Sequence, residues 1–220
     1  MKTAVVFGGS GLVGMALIHE LIADENYEKV TVVLRDYIPI SDPKLEQLIL
    51  IDFRHLLHLQ GELNATDYFC CIGTTIKKAG SQEAFVQVDF EIPTSIAQMA
   101  KEHSIPNLVV ISSLGANAAS SNFYLRTKGK MEESVRKIYS GNLKFIRPSL
   151  LIGKRKELRW GESMGMFFIL LFGWLLIGPL RKYRGVYAID VAKAMIKLTK
   201  YPPEKVVFES KELKEILQGY

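Results

Sequence analysis

The sequence predicts an α/β fold, a doubly wound parallel sheet with a small C-terminal extension, and three observations support it. Short apolar runs alternate with helix-period stretches along most of the chain, as in a sheet buried on both faces. The first run passes at once into glycines spaced G-x-x-G-x-x-G and then into an amphipathic helix. The sixth run closes on Arg147-Pro148, and a residue without an amide hydrogen cannot extend a ladder.

Thr3 to Phe7 reads as the first strand, and Leu12, Met15, Ala16, Leu17, Ile18, Leu21 and Ile22 mark one face of the helix that follows. Between them, Gly8 permits a sharp turn, Gly11 lets a pyrophosphate approach the backbone and Gly14 lets the helix lie close on the strand. The anion would rest on unpaired amides at the helix start. Gly8, Gly9, Ser10, Gly11, Leu12, Val13 and Gly14 are therefore expected to hold a dinucleotide.

Lys29 to Leu34 reads as the second strand and ends on Arg35-Asp36, where an adenosine ribose is normally met. An arginine there pairs with a 2′-phosphate, so Arg35 favours NADP(H) over NAD(H), while Asp36 keeps the 2′-hydroxyl reading open. Lys44 to Asp52 reads as a third strand ending at Asp52-Phe53, from which an adenine amino group could be held. His55 and His58 share a helical spacing, but no further ligand supports a metal, and none is expected. Asp67 to Ile72 reads as the fourth strand, and Cys71, Ile72, Gly73 and Thr74 bring backbone close to the cofactor's centre. Lys77, Lys78 and Gly80 read as a polar loop, and Pro93-Thr94 as the start or kink of a helix running to His103.

Asn107 to Ile111 reads as the fifth strand and ends on Ser112-Ser113. Ligand chemistry in a parallel sheet lies beyond the carboxyl ends of its strands, so these hydroxyls face the substrate's place. Twelve residues after Ser112 comes Tyr124-Leu-Arg-Thr-Lys128. A Tyr and a Lys four apart share a helical face, so the ammonium can lower the phenol's pKa from about 10 and hold a cofactor ribose. Ser140-Gly141-Asn142 reads as a helix C-cap and Leu143 to Ile146 as the sixth strand. Beyond it, Arg147 and Pro148 are expected at the nicotinamide end of the cofactor.

With 220 residues and 48% hydrophobic content, one domain over 1–220 is expected: a cofactor-binding core (1–149) and a substrate-side segment (150–220). The net charge of +5 is too small and dispersed to argue for nucleic acid. Cys70 and Cys71 are adjacent and poorly placed to bridge, and no secretory leader is evident, so a cytoplasmic location is expected.

Gly8-Gly-Ser-Gly11-Leu-Val-Gly14, Cys71-Ile-Gly-Thr-Thr75, Val88-Asp89, Ser112-Ser-Leu-Gly115, Tyr124-x-x-x-Lys128 and Arg147-Pro148 together resemble the short-chain dehydrogenase/reductase superfamily. The chain most resembles its atypical, single-domain branch, typified by the Tat-interacting oxidoreductase-like proteins. The resemblance implies a Rossmann domain that binds NADP(H), with hydride passing between nicotinamide and a carbonyl or alcohol. It assigns Tyr124 as general acid/base, Lys128 as its partner and ribose contact, and Ser112, or alternatively Ser113, as the group orienting the substrate carbonyl. Asp89 stands where many relatives carry Asn. The family also contains cofactor-binding regulators, so a regulatory or scaffold protein without robust turnover is the rival reading. A nucleotide-sugar epimerase or dehydratase is disfavoured, because only about 70 residues follow Arg147-Pro148.

Residues 164–180 form an uncharged run of 17 between basic clusters, short of the about 20 apolar residues that span a bilayer. Three readings stay open: a helix over the substrate cleft, a homodimer surface and, less favoured, a membrane-interface segment. The first implies a partly apolar small-molecule substrate walled by Phe167, Phe168, Phe172 and Trp174, residues that could equally be ordinary core. Val186 to Met195 reads as a short strand and a helix capped by Asp190, Val206 to Phe208 as an edge strand and Ser210 to Leu217 as the closing helix.

Overall fold

The computed structural model describes residues 1–59, 61, 63–153, 185–201 and 204–218. Among the described residues the strands are β1 (Lys2–Phe7), β2 (Tyr27–Leu34), β3 (Leu45–Ile49), β4 (Asp67–Cys70), β5 (Asn107–Ile111), β6 (Asn142–Arg147), β7 (Leu151–Ile152), β8 (Val186–Tyr187) and β9 (Val207–Glu209). Seven build one sheet in the order β3-β2-β1-β4-β5-β6-β9, every pair parallel, and β7 pairs with β8 separately. The helices are α1 (Leu12–Ala23), α2 (Ile76–Ala79), α3 (Gln82–Val86), α4 (Ile92–Glu102), α5 (Phe123–Ile138), α6 (Ala188–Leu198) and α7 (Ser210–Gln218).

Successive side chains of a strand face opposite ways, and here both faces are apolar. Ala4 and Val6 of β1 and Phe69 of β4 join the core under α1, α6 and α7. Val5, Phe7, Tyr68 and Cys70 join the second core, under α4 and α5. This is the doubly wound sheet of the Rossmann type, with helices on both sides.

Several elements differ from the sequence expectation. Lys77 and Lys78 lie in α2, not in a loop, because Thr75 caps its start and Gly80, at φ +89°, closes it. Pro93, expected at a helix start or kink, lies in the first turn of α4, but helical structure already begins at Gln82 and reaches α4 through a wide π turn over Gln87–Glu91, in which the Ile92 amide bonds the Gln87 carbonyl. Pro93 has no hydrogen for an α-helical bond, and the wider turn absorbs that loss. Asp190 sits in the first turn of α6 and Tyr187 at its cap. The third strand stops at Ile49, so Asp52 lies beyond it and Phe53 opens a 3₁₀ turn to Leu59. α5 ends on extended Tyr139 rather than on a glycine cap.

At the amino edge of the sheet, the first residues of five neighbouring strands join through their side chains. Buried Asp67 accepts from Lys2 Nζ at 3.0 Å, from Asn107 Nδ2 at 2.6 Å and from the Tyr27 hydroxyl. Asn142 Nδ2 in turn donates to Asn107 Oδ1 at 2.8 Å.

Candidate functional site

Strand order reverses between β1 and β4, and a cleft opens there beyond the carboxyl ends of the strands. Gly8 crosses it at φ +82°, so close to the chain leaving β4 that a Cβ would stand 2.8 Å from the Cys71 carbonyl carbon. A Cβ on Gly14 would stand 2.2 Å from the Gly8 oxygen, so α1 begins flush against the turn. Gly11 stands at the cap of α1 with no side-chain cap bond, and the first turn carries no acidic residue. Its leading amides thus face the cleft without a competing carboxylate, which fits an anionic diphosphate.

The cleft, of about 1700 Å³, is larger than the roughly 300–1,000 Å³ of ordinary small-ligand pockets. Gly8, Ser10, Gly11, Leu12 and Val13 line it, whereas Gly9 faces Val32 and Ile18 in the core and Gly14 packs on Gly8. Arg35, Asp52 and Phe53 line one end, Cys71, Ile72, Gly73 and Thr74 the middle, and Pro148 the far wall. Arg147 does not line it, which corrects its assignment to the cofactor. Its guanidinium grips Glu132 of α5 through two bonds, Nε to Oε1 at 2.9 Å and Nη2 to Oε2 at 2.7 Å. Asp36 is absent from the main cleft and faces a smaller cavity shared with Arg35.

Ser112, Ser113, Tyr124 and Lys128 all line the same cleft. Ser112 is 4% exposed and its buried hydroxyl has no hydrogen-bond partner, whereas the Ser113 hydroxyl reaches the Leu114 carbonyl at 3.5 Å. Asn122 caps α5 by accepting from the Leu125 amide, which sets Tyr124 and Lys128 one turn apart on the cleft side. Lys128 Nζ lies 2.6 Å from Asp89 Oδ1, and Asp89 Oδ2 accepts from the Thr74 amide at 2.8 Å. Burial by itself would depress the Lys128 ammonium, but the Asp89 carboxylate, reinforced by the Tyr124 phenol, holds its pKa above the ordinary lysine value.

Asp89 was legible in the sequence only as a departure from Asn; its contact with Lys128 joins two distant helices and leaves no local spacing to find. Arg54 also lines the cleft, and its guanidinium engages Asp52 at 2.6 Å, where Asp52 was expected to meet adenine. Arg54 holds the Asp52 carboxyl well below the usual carboxylate range, at about 2. Phe167, Phe168, Phe172 and Trp174, with the whole 164–180 run, lie outside the described residues. Among the described residues no helix is long and apolar enough to cross a membrane.

The reversal of strand order, the glycine turn against α1 and the Ser-Tyr-Lys group in one cleft define a Rossmann-type dinucleotide-binding domain. Residues 4–208 match the NAD dependent epimerase/dehydratase family, and the chain belongs to that family, within its atypical short-chain dehydrogenase/reductase branch. It is 31% identical over 198 residues to Protein HTATIP2 of Rattus norvegicus, covering 89% of this chain and 80% of that one. Protein FMP52-1, mitochondrial, of Scheffersomyces stipitis is 30% identical over 227 residues, covering 97% of this chain and 98% of that one. Among solved structures, MoeE5 in complex with UDP-glucose and NAD has a TM-score of 0.70 at 13% identity, covering 98% of this chain and 80% of that one. UDP-glucose 4-epimerase of Thermotoga maritima, solved with UDP-glucose, also gives 0.70, at 14% identity over 97% of this chain and 82% of that one. These two likenesses establish the fold.

The relatives named FMP52 carry a mitochondrial designation, which overturns the expectation of a cytoplasmic location. Reduced thiols separate oxidising from reducing compartments and do not choose between two reducing ones.

Proposed function

We propose that the protein is an NADP(H)-dependent oxidoreductase that interconverts the carbonyl and alcohol forms of a small, partly apolar substrate. The observation that carries this reading is the convergence of Ser112, Tyr124 and Lys128 on the cleft that the glycine turn opens. A bound nicotinamide supplies or accepts the hydride. Ser112 donates its otherwise unpartnered hydroxyl to the substrate oxygen, and Tyr124 gives that oxygen its proton or takes it away. Lys128 holds the ribose hydroxyls beside them, and the leading amides of α1 hold the diphosphate. Leu150, Leu151, Ile152 and the exposed Tyr187 and Ile189 give the wall near Pro148 an apolar surface, which supports an apolar substrate portion.

Arg35 supports NADP(H): it lines the main cleft at the end of β2, where Asp36 does not. Arg35→Ala should weaken NADPH binding about tenfold in calorimetry and leave NADH binding unchanged, the signature of a lost 2′-phosphate contact. Equal losses for both cofactors would remove the basis for the preference.

NADPH oxidation measured against a panel of aldehydes and ketones tests the activity. Tyr124→Phe should lower turnover by about 10²-fold or more while NADPH still binds, because only proton transfer is removed. Undiminished turnover in that variant refutes the assignment. Tight NADPH binding with no turnover on the panel would instead favour a cofactor-bound regulator, and turnover of a nucleotide sugar would favour an epimerase or dehydratase.

A further inference from the structure

We propose that the helical stretch from Phe85 to Asp89 is the positioning element of this site, Phe85 fixing the ring of Tyr124 and Asp89 fixing the ammonium of Lys128. The inference deepens the function proposed above and rests on it. Tyr124 and Lys128 stand four residues apart on α5, on one face and one turn apart. Phe85 and Asp89 stand the same four residues apart on the segment that faces them, so the two pairs meet rung against rung.

The first rung is aromatic. Phe85 is fully buried, with its ring centroid 5.4 Å from that of Tyr124 and 5.9 Å from that of Phe123, tilted 42° and 56°. Both separations fall within the roughly 4.5–7 Å over which aromatic rings interact, so the buried Phe85 ring confines that of Tyr124 on one side. The second rung is ionic, with the Lys128 and Asp89 side chains only 3% and 0% exposed. Through its bond from the Thr74 amide, Asp89 also ties the loop after β4 to α5. Gly73 passes beside the pair, where a Cβ would stand in ordinary contact, 3.4 Å from Asp89 Oδ1 and 3.6 Å from Lys128 Nζ.

A buried ion pair adds little to stability over apolar residues of equal size, so folding alone does not call for one here. A long, flexible lysine that must present its ammonium to a ribose does gain from a fixed partner. The π turn over Gln87–Glu91 fits the same role. It adds one residue to the helical path, which lets Phe85 and Asp89 face α5 while Ile96, Ala97, Met99 and Ala100 downstream remain buried in the core.

Two variants and a crystal structure test the proposal. Asp89→Asn keeps an acceptor for Thr74 but removes the charge, and should weaken NADPH binding about tenfold and lower turnover as well. Phe85→Leu keeps an apolar side chain, and should leave NADPH affinity within about twofold while lowering turnover about tenfold. That split between binding and turnover is not produced by general loosening. The proposal is overturned if Phe85→Leu turns over normally, if Asp89→Asn binds and turns over as the unmodified protein does, or if the Asp89→Asn crystal structure leaves Lys128 and Tyr124 in place. Should Asp89→Asn fail to fold, the double variant with Lys128→Met, which removes both charges, must fold again, and Phe85→Leu still decides the other rung. Should the unmodified protein bind no nicotinamide cofactor, the proposed function fails, while the crystal comparison still decides whether Asp89 sets Lys128.

Discussion

Gly14→Ala separates the cradle at the glycine turn from the stability of the fold around it. A Cβ at that position would stand 2.2 Å from the Gly8 oxygen, and ordinary contact begins near 3.4 Å, so α1 and the turn must part by about 1.2 Å. Two effects oppose each other in stability. Alanine in a helix gains about 1 kcal/mol over glycine, and overpacking a tight contact costs about 1–3 kcal/mol. The net loss in urea unfolding should thus be on the order of 1 kcal/mol. Binding should suffer more, because the leading amides of α1 move away from a diphosphate that they hold through charge-assisted bonds. Losing two such bonds at about 1.5 kcal/mol each lowers affinity about 10²-fold. Calorimetry with NADPH and with NADH reads this directly, and both cofactors should be affected alike. Gly61→Ala is the control: φ there is +93° with nothing within 4 Å, so strain of about 1–2 kcal/mol should appear without loss of affinity. Dinucleotide affinity within twofold of the unmodified protein in Gly14→Ala would refute the cradle.

Two further outcomes follow from side chains away from the glycine turn. Arg147→Leu leaves the Glu132 carboxylate, 4% exposed, without its guanidinium, and should cost about 3 kcal/mol in urea unfolding with NADPH affinity unchanged; a tenfold loss of affinity would return Arg147 to the cofactor site. Burial pushes the Cys70 thiol up from 9.0 to about 11 and raises Cys71 well above the ordinary thiol range. Above pH 9 the unfolded chain therefore releases thiol protons that the folded protein keeps, and stability should fall by up to about 1.4 kcal/mol per pH unit per thiol between pH 9 and 11. A urea midpoint that stays level across that range would show the thiols to be freely ionisable.

The strand-turn-helix from β1 to α1 was legible because its chemistry is local: β-branched residues, glycines at fixed offsets and one amphipathic face lie within a single stretch of chain. That Ser112, Tyr124 and Lys128 would face one cleft was legible for a related reason, since a strand end and an i,i+4 pair are both short-range patterns. Pro93 was legible as a start or kink, and it sits in the first turn of α4; the π turn before it was not, because proline's fixed φ and missing hydrogen suit a plain first helical turn equally well and only the packing of α3 adds the wider turn. Arg147 misled differently: a strand-end arginine next to a ligand cleft can turn into the cleft or back to a helix, and the partner that settles it, Glu132, is set by how α5 lies on β6. Asp89 carries the same lesson, because a carboxylate's partner across two helices is a property of their packing.

The polar line along the amino edge of the sheet has a consequence at the opposite rim. Lys2, Tyr27, Asp67, Asn107 and Asn142 each open their strand, so each link between them also states where one strand begins against the next. Sliding any of these strands by one residue would swing its opening side chain to the other face and strand its neighbours' buried polar atoms. The row acts as a register lock: with Asp67 opposite Ala4 on one side and Asn107 on the other, Phe7 falls beside Cys70 and Cys70 beside Val110, so Gly8, Cys71 and Ser112 leave the sheet close together.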